Sequence, residues 1–272
     1  MNLIIKRISG EEYIFSRENG FIVRDFIPSP PVYRTDIDDN ENRNGEIDNG
    51  TVIKSRPLDA FVFFTALDYY DFTLKRNEVL KWLDSREYFY IIDDREPGKR
   101  WKVKVENHTL GQLKSTAGEF QITFKCYEGL AESIGTTTDP FTFDNELWQI
   151  GQGLIAENTV YTHETTRFRI WNAGDVPVDP CEMPLLITIH GASNNLKIQN
   201  LTTGDSWQYY SSTSSSDTIK INDVQALKNG ISIFSNTNME EITIAPGWND
   251  FEISGITGAF EISFGFRFYY LM

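Results

Sequence analysis

The sequence predicts a mainly β chain of two units with a single helix in the first. Three observations carry this. The chain is rich in aromatics, with 19 Phe and 12 Tyr among 272 residues, and such residues favour pleated, half-buried surfaces. Residues 260–270 alternate strictly, with Phe260, Ile262, Phe264, Phe266, Phe268 and Tyr270 set against Glu261, Ser263, Gly265, Arg267 and Tyr269. That is the period of a strand with one buried face. Helical periodicity is clear only over residues 73–84, where Val79, Leu80 and Leu83 share a face and Thr73 stands as candidate N-cap.

The remaining elements follow in order. Residues 3–8 form a strand candidate, and residues 12–15 and 21–23 flank Asn19-Gly20, a hairpin dipeptide. Pro28-Ser29-Pro30-Pro31 makes an elbow. A polar loop over residues 36–50 follows, long enough to protrude. Strands are expected over 51–54 and 60–67. Beyond the helix, 88–92, 101–106, 110–113 and 119–126 read as a meander. Residues 133–140 are turn-rich, which sets the units at 1–136 and 137–272. In the second unit short strands are expected over 167–171, 185–190, 196–200, 206–210, 218–221, 231–234, 241–244 and 251–253, ahead of the alternating run. Their spacing favours a β-sandwich or jelly roll.

Charge narrows the function. The net charge is −14, and basic residues thin out from 19 in residues 1–132 to 6 beyond, against 23 and 16 acidic ones. Nucleic acid and anionic membranes are poor partners for such a surface. The N-terminus is too short in apolar residues for a signal peptide, and no run reaches membrane-spanning length. The two cysteines, Cys126 and Cys181, fit neither a disulfide framework nor a zinc site. They read as buried thiols of a protein folding in a reducing cytoplasm.

Catalytic signatures are lacking. His108, His163 and His190 are isolated, and no nucleophile elbow or phosphate loop occurs. The acidic pairs Asp93-Asp94 and Glu240-Glu241 would point to opposite strand faces. The segment from residue 40 to 51 has calcium-loop spacing, but Thr51 stands where a bidentate Glu is needed. The chain is therefore read as a non-enzyme with no metal or cofactor. Trp207, Tyr209 and Tyr210 are the candidates for stacking on a sugar, with core packing as the plainer alternative.

The layout resembles the siphophage distal tail protein family, Dit, of phages infecting Gram-positive bacteria. In the first half the resemblance rests on Asp48-Asn49-Gly50, Leu80-Lys81-Trp82-Leu83 and residues 120–126. In the second it rests on Trp171-Asn172-Ala173-Gly174, residues 183–191, residues 198–204 and Ala245-Pro246-Gly247-Trp248-Asn249. It implies an N-terminal split β-barrel with one helix and a C-terminal β-sandwich of galectin-like or carbohydrate-module-like form. It implies a homo-hexameric ring at the virion tail tip, assembled in the host cytoplasm from a phage or prophage gene. Its partners would be the major tail tube protein, the tail-associated fibre or lysin protein, and receptor-binding proteins.

In a ring, Asp36, Asp38, Asp39, Asn44, Gly45, Asp48 and Gly50 would lie on an inter-subunit arm, since a closing contact joins two different patches of one subunit. The galectin sugar constellation His-x-Asn-x-Arg is not reproduced around His190. The alternative function is a cell-wall glycan-binding module of the adsorption apparatus.

Overall fold

A computed structural model describes residues 1–39, 44–142, 147–155 and 159–272. The chain divides into two compact units, Met1–Glu132 with Leu271–Met272, and Ser133–Tyr270.

The first unit contains β1 (Leu3–Arg7), β2 (Glu12–Phe15), β3 (Phe21–Pro28), β4 (Tyr33–Asp39), β5 (Glu46–Ile53), β6 (Arg56–Thr65), helix α1 (Tyr69–Trp82), β7 (Phe89–Asp93), β8 (Lys99–Lys114), β9 (Ala117–Cys126) and the short β10 (Ala131–Ser133). Seven of these strands follow one another in an antiparallel sheet in the order β2-β1-β7-β8-β9-β6-β3, and β10 joins it beside β8. The sheet is open, with β2 at one edge and β3 at the other. The Asn19-Gly20 turn therefore links two edges. The hairpin expected from that dipeptide does not form, because β2 pairs with β1 and β3 with β6. Strand β6 alternates as half-buried sheets do, with Leu58, Ala60, Val62 and Phe64 inside. Phe120, Ile122 and Phe124 of β9 lie beside them. Gly118 faces the Phe64 ring so closely that a Cβ there would sit 2.7 Å from it.

Helix α1 begins earlier than its periodicity suggests. The N-cap is Asp68, whose Oδ1 accepts from the Asp71 amide at 2.8 Å, while Asp71 Oδ2 accepts from the Leu67 amide at 2.8 Å. The first bond satisfies one of the helix's orphan donors, and the second anchors the residue before the cap. Thr73 lies inside the helix and donates its hydroxyl to the Tyr69 carbonyl. The buried face is Phe72, Val79 and Trp82, whereas Leu80 is exposed. Trp82 stacks on Tyr13 at 5.3 Å and contacts Phe15 and Phe21 at 5.4 and 5.5 Å. The Arg7 guanidinium donates to the carbonyls of Trp82 and Asp84, covering the negative end of the helix.

The second unit contains β11 (Thr162–His163), β12 (Arg167–Asn172), β13 (Leu185–Asn200), β14 (Ser206–Thr213), β15 (Thr218–Asn222), β16 (Gln225–Lys228), β17 (Ile231–Ser232), a 3-10 turn at Phe234–Asn236, β18 (Gly247–Phe266) and β19 (Tyr269–Tyr270). Two pairs of expected strands are continuous here. Residues 185–190 and 196–200 both belong to β13, and 251–253 joins residues 260–266 in β18; the alternating run expected over 260–270 breaks at 267–268, and Tyr269–Tyr270 form the separate β19. Residues 241–244 form no strand; Ile244 makes only an isolated bridge to Val178.

Both long strands bend midway, and each serves two layers. The first half of β13 pairs with β15 and the end of β18, and β11 also pairs with that end. The second half of β13 pairs with β14 and the start of β18, which also pairs with β12. At the bend Gly255 holds φ +84°, and a Cβ there would lie 2.6 Å from the carbonyl oxygens of Asn194 and Asn195. The fold brings Phe251 and Phe264, from opposite ends of β18, to 4.9 Å, with Phe168 against both. The whole is mainly β, in several sheets, with one α-helix among the described residues. Among the described residues no helix is long and apolar enough to cross a membrane.

Candidate functional site

Within the polar segment expected as a loop over residues 36–50, residues 36–39 and 46–50 are strand. They belong to a two-stranded hairpin, β4–β5, that forms its own sheet and pairs with no other strand among the described residues. Every residue of β4 is exposed. Tyr33 faces Ile53, Thr35 faces Thr51 with their hydroxyls 2.8 Å apart, and a bulge follows between Asp36 and Ile37. Asp48 Oδ1 accepts from the Gly50 amide, which fixes the turn of the backbone there.

All seven predicted arm residues, Asp36, Asp38, Asp39, Asn44, Gly45, Asp48 and Gly50, are exposed on this hairpin. Residues 40–43, and with them the start of the calcium-type spacing, lie outside the described residues. The base is well held. The Lys54 amide donates to the Val32 carbonyl at 2.7 Å, and the Ser29 amide donates to Pro57. Arg56, wholly buried and 4.5 Å over the Trp101 ring, donates to the carbonyls of Ser29 and Leu271.

The composition of the arm is informative. A lone two-stranded hairpin is marginal in water. This one also exposes Tyr33 at 56%, Ile37 at 52% and Val52 at 50%. Apolar side chains on a projecting, acidic hairpin are what a second protein surface would cover.

The other predicted sites resolve differently. Trp207 and Tyr209 are buried in the second unit's core, so neither can stack on a sugar; only Tyr210 is exposed. The alternation of β14 explains this, because its inward face carries the two rings. Asp93 is committed to an ion pair with Arg95 at 2.6 Å. His163 stacks on Phe168 at 4.2 Å, and burial pushes its pKa down. His190 meets Thr218. Cys126 is buried, but Cys181 is exposed, contrary to the expectation for both thiols.

Comparison with known proteins gives the fold a context. Residues 8–126 match the family profile of the phage tail protein RIFT-related domain. The structure matches the Dit protein (gp 19.1) of phage SPP1 with a TM-score of 0.68 and 12% identity, covering 98% of this chain and 99% of that one. That protein is described as a paradigm of the hub adsorption apparatus in phages infecting Gram-positive bacteria. Chains of the phage P2 baseplate in its activated conformation, with Ca or Sr, align over 98% of this chain at a TM-score of 0.43, too low to bear on the fold. No curated protein matches the chain. Residues 8–126 thus resemble the phage tail protein RIFT-related domain, and the chain shares the fold of the SPP1 Dit protein along nearly its whole length.

Proposed function

We propose that the protein is a structural hub of a phage tail tip. Six copies form a closed ring through their first units, and the chain has no catalytic role. The ring joins the tail tube protein to the tail-associated fibre or lysin protein, and the second units hold receptor-binding proteins. Its place is the virion tail tip, reached by assembly in the host cytoplasm.

What carries this reading is the projecting hairpin. Ring closure needs two different patches on one subunit. The arm leaves the first unit beside Arg56, the first residue of β6. The opposite end of β6 leads to the start of α1, where Leu67, Tyr70 and Leu74 are exposed. Ten residues of strand separate these ends, about 33 Å. A projecting arm and a distant apolar patch are suited to head-to-tail contact. The domain match and the Dit fold support the tail setting.

The test is the absolute mass of the chain by light scattering across a concentration series, with negative-stain imaging. The expected result is a mass of six subunits and ring-shaped particles, lost when residues 33–53 are replaced by a short glycine linker. A wild-type chain that stays monomeric at high concentration, and also in the presence of assembled tail tubes, overturns the reading.

A further inference from the structure

We propose that a shallow cleft in the second unit docks a basic, apolar-tipped segment of a partner protein, laying one apolar side chain of that segment against its exposed rim. The cleft lies between the β15–β16 hairpin, the 3-10 turn and the chain on either side of residue 240. Its floor is apolar, made by Leu185, Ile187, Trp207 and Ile242, all buried. Its rim is also apolar but exposed, formed by Val224, Phe234 and Met239. The floor is closed, and the exposed apolar rim above it is the surface left for a contact.

The rim is rigid. Thr237 donates its hydroxyl to the Phe234 carbonyl at 2.7 Å and accepts from the Met239 amide at 3.2 Å. Asn238 Oδ1 accepts from the Gln208 amide, and its Nδ2 donates to the Ser206 carbonyl, tying the segment to the edge of β14. Across the hairpin, Asp223 Oδ1 accepts from the Leu185 amide at 2.9 Å. Two of the rim positions sit in left-handed backbone, Asp223 at φ 54° and Met239 at φ 58°. For Met239, with neither glycine's freedom nor a short polar side chain, that is a strained conformation. It holds a flexible, polarizable side chain at the mouth of the cleft, of the kind used on adaptable binding surfaces.

The charge of the mouth selects the partner. Asp223, Glu240 and Glu241 line the cleft, with no lysine or arginine among its described lining residues. Asp179 and Cys181 lie beside Glu241, and the Cys181 thiol donates to Glu241 Oε2 at 2.8 Å. The negative surroundings also hold that thiol protonated: the hydrogen bond to Glu241, with Asp179 nearby, pushes its pKa up to about 11. An acidic mouth beside an exposed apolar rim complements a segment in which lysines or arginines flank an apolar side chain. The complementarity is local, since carboxylates near the surface act over about 8 Å at physiological salt.

The chain carries four methionines, so methyl-labelled protein gives few signals, and Met239→Leu assigns the one at the mouth. The probe is a blocked pentapeptide with a central phenylalanine between two pairs of lysines. The control has glutamates in place of the lysines. The expected result is a saturable shift of the Met239 methyl with the lysine peptide and none with the glutamate peptide. Affinity should fall severalfold between 0.15 and 0.5 M salt, and roughly 2- to 5-fold for each of Glu240→Gln and Glu241→Gln. Val224→Asp, at an exposed position, should weaken binding without changing the spectrum elsewhere. No Met239 shift at millimolar peptide, equal shifts with both peptides, or binding indifferent to the two glutamine variants would each overturn the proposal. The readout does not depend on ring formation, so its failure is separate from failure of the hub reading.

Discussion

The apolar residues of the arm offer a quantitative test of the ring. Ile37→Thr with Val52→Thr keeps β-branched residues on both strands, so the hairpin keeps its backbone preference. Both side chains are about half exposed in the protomer. Complete burial of such a side chain stabilises by about 2 kcal/mol, so roughly 1 kcal/mol remains to be gained at each when a neighbour covers the arm. The double variant then loses about 2 kcal/mol per interface. A closed ring of six has six identical interfaces, and its assembly midpoint scales as the fifth root of the overall constant. The midpoint concentration should rise about 60-fold. The protomer's thermal midpoint should move by no more than a few degrees, because exposed substitutions change stability by about ±0.5 kcal/mol. Sedimentation velocity across a concentration series reads the midpoint, and scanning calorimetry reads the protomer. A ring whose midpoint moves less than about twofold would show that the arm's apolar face is not the interface.

Two further outcomes test the interior and the second unit. Trp82→Ala removes a side chain packed on three rings and should destabilise the first unit by about 3–5 kcal/mol, lowering its calorimetric transition by roughly 10–20 °C; a shift under about 3 °C would contradict the packing described. Because Cys126 is buried, iodoacetamide should label Cys181 alone, and slowly at pH 8. The thiol's pKa of about 11 leaves it mainly protonated there, and the rate should rise with pH up to that value. Glu241→Gln removes the raising partner, so its labelling at pH 8 should be about tenfold faster after allowing for the lower nucleophilicity of a lower-pKa thiolate. Equal rates in the two proteins would refute the thiol–carboxylate pairing.

Much of this architecture is legible in local pattern. The alternation over residues 260–270 identifies Phe260, Ile262, Phe264, Phe266, Phe268 and Tyr270 as buried, but the strand ends at Phe266 and Tyr269, expected on the polar face, is buried in β19. The helix is legible in its second half, but Tyr69-Tyr70-Asp71-Phe72 has the composition of a strand, which hides a start set by one Asp68 cap. The arm is misleading for the opposite reason. Its acidic and glycine-rich residues favour loops by propensity, yet cross-strand pairing carries them as a hairpin. Partner choice is not local at all: Asn19-Gly20 forms a turn, but tertiary pairing sends its flanking strands to opposite sheet edges. Trp207 and Tyr209 show the limit at the site level, because the same aromatic pattern serves a core or a sugar platform. The cleft draws on residues from Pro180 to Ile242, and no spacing in the sequence announces that convergence.

The bent strand β18 also sets a timetable. It pairs with β11, β12 and β13, and Leu185 of β13 waits for Phe266, so the two layers of the second unit cannot both be complete before residue 266 is made. Residues 1–132, with the arm, emerge from the ribosome long before that. At usual rates of synthesis the gap is on the order of ten seconds. During it, the first sheet and its hairpin can form while the strands destined for the second core remain unpaired and open to non-native association. Mutations that slow closure around β18 should therefore lower the yield of intact protein well before they lower the stability of the molecules that succeed in folding.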